Sequence, residues 1–360
     1  MRKLASIQRI ERIDPIPNCD NIGLAKVEGW QVIVRYDQFE PGDLCVYFEI
    51  DSLLPEKEVF EFMRPKSFRV KTMKMRGVFS QGLCMPLSIL PPNTTYLVGD
   101  DVTDILGVTK YEPPTEAEHT RPTPAPKNPI LAFFNRLFRR KKCPAEGAPF
   151  PEFVSKTDET RVENMPWVLK KKDIPFEAHE KVDGQSGTFF YRKQKRFGIF
   201  PADDFGVCSR NYRWPKPDNS SYWTVAKRYR LRTILPAILR AVDDGSSWIC
   251  LQGECIGPGI QQNKYHLTSP DLYCFNLITE KSGKLDSLWA AELVADFGLT
   301  WVPLICEKYT LPDTVDELRS FVHGDSKLYP TLREGIVFRN YSHNLSFKCV
   351  DPAYLIKWKE

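Results

Sequence analysis

Several familiar signals are missing from this 360-residue sequence. Its ten cysteines stand singly from Cys19 to Cys349, mostly among apolar neighbours, and no CxxC pair occurs. That spacing argues against a zinc site or a disulfide framework. With no secretory signal, it points to reduced thiols in an intracellular compartment. No apolar run reaches about 18 residues, which argues against a membrane span. The five histidines (His119, His179, His266, His323, His343) show no metal-ligand spacing. HExxH and GxSxG are absent, and GPGIQQN is not the GxxxxGK[ST] phosphate loop. There are no internal repeats. The formal charge of +4 is small, so attraction to a polyanion must come from local basic patches.

What is present suits a globular chain. Hydrophobic residues make up 42% and aromatics 12%, enough for a substantial core, and the length suggests two or three domains. Residues 1–112 alternate short strand patterns with the turn clusters PNCDN, EPGD and RGVFSQG, which predicts a small closed or partly closed β-barrel. Residues 113–150 are rich in Pro, Thr, Glu and Ala and read as a linker or insertion. Inside it, PILAFFNRLFRRKK is either an amphipathic segment for a membrane, partner or RNA, or an insertion helix with a solvated basic end. From 151 to 360 apolar strands (GTFFYRK, WICLQGECI, DLYCFNLI, EGIVFRN, LSFKCV) alternate with the helical stretches TVAKRYRLRTILPAILRAV and DSLWAAELVADFG. That pattern predicts antiparallel sheets with flanking helices around a cleft, an α+β fold.

EKVDGQSGTFF places Lys181 between two acids at the head of an apolar strand. A lysine before Asp-Gly is usually a turn residue. Its company changes the weight. Lys181-Val182-Asp183-Gly184 is followed in order by Ser209-Arg210-Asn211, Gly253-Glu254, Tyr273-Cys274-Phe275, Arg333-Glu334-Gly335 and Ser346-Phe347-Lys348. This ordered set resembles the covalent nucleotidyltransferase superfamily of ATP-dependent ligases and capping enzymes. LVGDDVTDILGVTKYEPP, KTDETRVENMP and GECIGPGIQQNKY resemble the stand-alone RNA ligases in which an OB-like domain precedes the transferase domain.

The resemblance implies an OB-like β-barrel followed by a nucleotidyltransferase (ATP-grasp-like ligase) domain. It implies ATP and Mg²⁺ (or Mn²⁺) as cofactors, and a substrate RNA bearing 3′-OH and 5′-phosphate ends, sealed by a monomer in RNA repair. Lys181 is the implied nucleophile. Lys348 and the metal would help it lose its proton and neutralise the α-phosphate. Asp183, Glu254 and Glu334 are the implied metal carboxylates, acting largely through water. Arg210 is implied at the ribose or 5′-phosphate, Phe275 stacked on adenine, Glu180 at the adenine edge and Arg161 at the triphosphate or RNA phosphate. Lys66, Phe68, Arg69, Lys71, Lys74 and Arg76 would grip RNA from the barrel; a solvated basic strand face is the alternative.

The chain departs from the pattern in two places. A second lysine expected two residues after Lys348 is Val350, and Lys357 is too distant to replace it. The stretch after Lys357 leaves no room for a C-terminal OB domain, which favours the RNA ligase branch over DNA ligases and capping guanylyltransferases. A catalytically inactive nucleic-acid-binding homologue is the remaining alternative.

Overall fold

Alternation decides the fold of the first hundred residues. In the strand Trp30–Arg35, Trp30, Val32 and Val34 turn inward and are buried, while Gln31 donates to the Phe79 carbonyl at 2.9 Å. The computed structural model describes residues 2–92, 94–111, 148–196, 200–214 and 220–358. Strands Ala5–Arg9, Leu44–Phe48 and Leu83–Pro86 form one antiparallel sheet, and Arg12–Pro15, Ile22–Val27 and Trp30–Arg35 form a second. A hairpin, Thr72–Met75 with Val78–Gln81, turns at Arg76 and Gly77, both at positive φ (51° and 86°). That pair of left-handed residues matches the twist of the flanking strands, and Gly takes it without a Cβ penalty. The expected small β-barrel unit is therefore present. Most of the Pro-rich stretch, including PILAFFNRLFRRKK, lies outside the described residues; Ala148–Pro149 add a short edge strand to the large sheet described next.

Beyond it, two antiparallel-rich sheets face each other. The large one contains Asp204–Cys208, Gln185–Arg192, Trp248–Ile256 and Asp271–Thr279 as neighbours. The small one runs Leu304–Tyr309, Phe176–Lys181, Gly335–Asn340, Leu345–Val350. Helices Leu231–Val242 and Ser287–Ala295 bury Leu235, Ile238, Ala290 and Val294 against the large sheet. Helix Val315–Val322 buries Leu318 and Val322 against Phe176, Phe338 and Phe347 of the small one. This is the α+β architecture expected from the alternation. The stretch TVAKRYRLRTILPAILRAV is two helices, Ser221–Arg228 and Leu231–Val242, because Arg230 adopts a left-handed conformation (φ 50°) between them. Among the described residues no helix is long and apolar enough to cross a membrane.

The segment Arg161-Val162-Glu163-Asn164 wedges between barrel and sheets. The Gly29 N–H donates to the Glu163 carbonyl at 3.1 Å, and Trp30 Nε1 donates to Asn164 Oδ1 at 2.6 Å. Arg319 reaches from the other side, donating to Glu163 Oε1 and to Gln81 Oε1, each at 2.9 Å, with Glu163 fully buried. Val350 and Leu355 complete the barrel-side cluster around Trp30 and Tyr47. Breaking a buried pair by removing one partner costs about 3–5 kcal/mol, because the other charge is left uncompensated. Arg319→Met is expected to lower unfolding free energy by that order in urea titrations; a loss no larger than a typical surface substitution would contradict the wedge.

Candidate active site

Lys181 ends a strand of the small sheet and Gln185 begins one of the large sheet, so Val182-Asp183-Gly184 is the crossing between them. The lysine therefore stands at the seam. Glu334 immediately precedes the strand that pairs with it, Gly335 lying opposite Lys181. Glu254 lies on the neighbouring large-sheet strand, opposite Ser186. Lys348 pairs with Val337 one strand further, and an isolated bridge sets Arg161 beside it. A Cβ on Gly184 would fall 2.3 Å from the Cys255 carbonyl oxygen, so this crossing admits only glycine without a shift.

Charge governs this seam. Lys181 Nζ donates to Glu334 Oε2 at 2.7 Å. Burial opposes charge on the amine, but Glu334 and then Glu254 outweigh it, and its pKa is raised. Lys348 and a metal were expected to help Lys181 lose its proton; without a ligand, the carboxylates favour the ammonium. Glu254 is pushed up to about 8 by burial, Lys181 opposing and Glu334 adding repulsion. Its Oε1 accepts from the Gly184 N–H at 3.1 Å. Lys348 is driven down to about 7 by burial, with Arg161 and Lys181 adding like charge. Arg161 Nη1 is buried with no hydrogen-bond partner, an orphan donor of the kind an anionic ligand satisfies.

Two residues with implied roles are engaged by other protein groups in this structure. Asp183, expected with Glu254 and Glu334 on a metal, is 5% exposed and adds to the negative field on Lys181 and Glu254. It pairs with Lys264 and accepts from Tyr354 Oη at 2.7 Å. Among the described residues no group of three His, Cys, Asp or Glu side chains is arranged to hold a metal ion. Of the three implied carboxylates, Glu334 and Glu254 act most strongly on Lys181. Glu254 resists ionising chiefly because it is buried; added positive charge would offset that cost, which fits a divalent cation that keeps most of its own waters. Glu180 was expected at the adenine edge, but its carboxylate accepts from Ser326 Oγ at 2.5 Å and the Lys327 N–H at 2.8 Å. Its own N–H donates to the Pro303 carbonyl at 2.8 Å, so it fastens loops.

Phe275 and Tyr273 share the partly buried face of their strand, against Val182, Ile256 and Val302. This small apolar floor beside the seam suits a flat ring. The Phe275 carbonyl also accepts from Arg339 Nη1 at 2.5 Å. Arg210 is half-exposed and pairs with Asp158 at the mouth. On the barrel, Lys66, Arg69 and Lys71 line one groove with Tyr111, about 320 Å³ in volume. Phe68 is buried in the barrel core, and Arg69 is engaged with Asp51 (2.7 Å) and the Tyr111 ring (4.0 Å). Phe68 is thus not exposed for stacking, whereas Arg69 lines the groove while held by these partners. Lys74 and Arg76 are exposed on the separate hairpin. Val350 is 1% exposed in the cluster joining barrel and sheets, so a lysine there would bury its charge in that joint.

Lys264, Tyr265, Tyr354, Ser326 and Trp30 do work at the seam that no motif announced. Lys264 and Tyr265 sit in GECIGPGIQQNKY, the stretch that carried the resemblance, but nothing in it pointed to Asp183.

A seam that can present an amine to a phosphate group, with cations beside it and carboxylates beneath, equips the molecule for nucleotidyl transfer, with a barrel docked alongside. Comparison with known families narrows the class. An OB-fold domain model matches residues 4–87, and an RNA ligase model matches residues 174–359. The Naegleria gruberi RNA ligase solved with PPi superposes with a TM-score of 0.81 at 31% identity, covering 100% of this chain and 99% of that one. A variant of the same enzyme with ATP and Mn gives 0.80 at 30% identity, covering 100% of each chain. No curated protein sequence matches. The chain belongs to the RNA ligase family and is an enzyme that joins RNA ends.

Lys348 sets a pH dependence. Below pH about 7 it is charged in folded and unfolded chains alike, and its buried charge is a cost. Between about 7 and 10.5 only the unfolded lysine keeps its proton, so stability gains as pH rises through that window. The thermal midpoint of the wild type minus that of Lys348→Met should therefore climb from pH 7 to 10; a flat difference would refute the assignment.

Proposed function

We propose that this RNA ligase works through a lysyl-AMP on Lys181 and an RNA-adenylate, using ATP and a divalent metal, to seal 3′-OH and 5′-phosphate ends in RNA repair. The observation that carries the reading is the Lys181 amine poised 2.7 Å from Glu334 at the seam, with Glu254, Lys348 and the orphaned Arg161 donor around it. The cofactors are supported by the similar Naegleria gruberi enzyme, whose solved forms include ATP and Mn. Glu254 and Glu334 are the residues that would hold the metal's waters, and the ion would supply positive charge at the α-phosphate. Positive charge held there would also offset Glu254 and Glu334, the groups that favour the Lys181 ammonium.

The Lys181 nitrogen then forms a bond to the α-phosphorus as the bond to the β-phosphate oxygen breaks, and pyrophosphate leaves. Lys348 and Arg161 steady the oxygens that gain charge. An RNA 5′-phosphate oxygen next takes the AMP and returns the lysine. Finally the 3′-hydroxyl oxygen attacks that 5′-phosphorus and AMP departs. Phe275 and Tyr273 floor the adenine, and Arg210 contacts ribose or 5′-phosphate from the mouth. On the barrel, Lys74 and Arg76, with Lys66 and Lys71 at the groove, contact RNA phosphates. The partition into a barrel of residues 1–112, a linker and a transferase of 151–360 belongs to the same reading.

Incubated with ATP and Mg²⁺, the wild type is expected to gain the mass of one AMP and Lys181→Ala none. Chasing the adduct with nicked RNA should release AMP and yield sealed product, with nicked DNA a poor acceptor. No adduct on the wild type would leave the inactive homologue in place, and an adduct on the variant would remove Lys181. For the barrel, Lys74→Glu with Arg76→Glu should weaken RNA binding and flatten its salt dependence, by about one unit of log–log slope for each phosphate the variant no longer neutralises, while AMP transfer is unchanged. An unaltered slope would mean the hairpin is merely solvated.

A further inference from the structure

Asp183 lies two residues from the nucleophile; its carboxylate adds to the negative field on Lys181 and Glu254 and is itself held by two side chains. Its partners come from remote segments: Lys264, 81 residues along the chain, and Tyr354, 171 residues along. All three side chains are nearly inaccessible, Lys264 and Asp183 at 5% and Tyr354 at 2%. Lys264 Nζ also donates to Tyr354 Oη at 2.8 Å, closing a three-membered knot. The main chain is gripped as well: the Asp183 N–H donates to Tyr265 Oη at 2.9 Å and the Gly184 N–H to Glu254 at 3.1 Å. Residues 264 and 265 thus hold position 183 by both its side chain and its backbone.

The C-terminal helix Pro352–Trp358 carries the third member of the knot and reaches further. The Asp351 N–H, just ahead of it, donates to the Glu334 carbonyl at 2.9 Å, fixing the residue whose side chain holds Lys181. Leu355, next to Tyr354, packs into the barrel cluster with Trp30 and Tyr47. One short helix therefore touches the lysine's turn, the lysine's counter-ion and the barrel.

We propose that Lys264 and Tyr354 are positioning residues for lysine adenylylation: through Asp183 they hold the Val182–Gly184 turn so that the Lys181 amine meets the α-phosphorus in line. They touch neither ATP nor RNA. An ion pair so deeply buried is stable only while every member is present, so loosening one lets the turn move. A small misplacement of a reacting atom is enough to cost one to two orders of magnitude in rate. This inference rests on Lys181 being the attacking amine.

The test separates the step that needs the lysine from the step that does not. Tyr354→Phe keeps the ring and the ion pair and removes one hydroxyl; Lys264→Met keeps the volume and removes the cation. In the full chain, single-turnover lysyl-AMP formation should fall by about tenfold in the first and further in the second, with the KM for ATP within about twofold of the wild type. Sealing of chemically pre-adenylylated nicked RNA, which bypasses attack by Lys181, should stay within about threefold. Lysyl-AMP formation at the wild-type rate in both variants would overturn the proposal. So would an equal fall of both steps accompanied by a lowered thermal midpoint. Should Lys264→Met not fold, Tyr354→Phe decides by the same criteria. Lys181→Ala is run alongside: an adduct on it refutes the nucleophile, whereas loss there with unimpaired Tyr354→Phe and Lys264→Met refutes only the positioning role.

Discussion

An ammonium that its neighbours will not release organises this enzyme. Lys181 lies within hydrogen-bonding distance of Glu334 and in the field of Glu254, and these acids outweigh the burial that would otherwise neutralise it. Carboxylates crowded in a poorly solvated seam want a cation, and in the resting protein the lysine is that cation. In the proposed reaction a divalent ion taking over that role would leave the acids as partners of its waters and the amine free to act as nucleophile. In that reading the same neighbours would guard the lysine at rest and hold the ion's waters during turnover. Lys348 shows the opposite balance: burial, with Arg161 and Lys181 as like charges, outweighs Asp158 and Glu334 and lowers its pKa.

The barrel is part of this economy. The wedge at Glu163 and Asn164 bonds to Gly29 and Trp30 on one side and to Arg319 on the other. Immediately before it stands Arg161, whose guanidinium carbon lies 5.9 Å from the Trp30 ring centre. The Arg161 guanidinium is therefore braced by a residue of the barrel. Val350 belongs to the same joint: the position where a second lysine was expected is spent on packing, and Arg161 stands beside Lys348 as the other cation of the seam.

The fold was legible wherever period and burial agree. WICLQGECI and EGIVFRN are buried strands, and their alternation said so before any coordinate did. The order of Lys181, Glu254, Phe275, Glu334 and Lys348 was equally readable, because each sits at a strand or strand edge that brings it to one seam. What sequence could not convey is where a side chain turns when two partners compete for it. Asp183 carries the right chemistry for a metal, but Lys264 and Tyr354 claim it from segments with no local signal. Glu180 is claimed by Ser326 and Lys327 in the same manner. Phe68 read as a stacking ring among lysines, although the left-handed turn at Ser67 and Phe68 folds it into the core. These are tertiary decisions, and motif order is silent on them.

The joint between barrel and sheets also bears on how the molecule assembles. The pairs that close it, Gln81 with Arg319 and Lys26 with Asp316, are 238 and 290 residues apart along the chain. Contacts of such separation form late, because a long loop must be closed before they return anything. A barrel that folds first during synthesis carries an open apolar socket around Trp30 and Tyr47 until Val350 and Leu355 arrive to fill it. The residues that finish the barrel flank Tyr354 and follow Lys348, so completing the fold and setting the nucleophile's turn are one event. A chain with its barrel still unsealed is a chain whose lysine is not yet aimed.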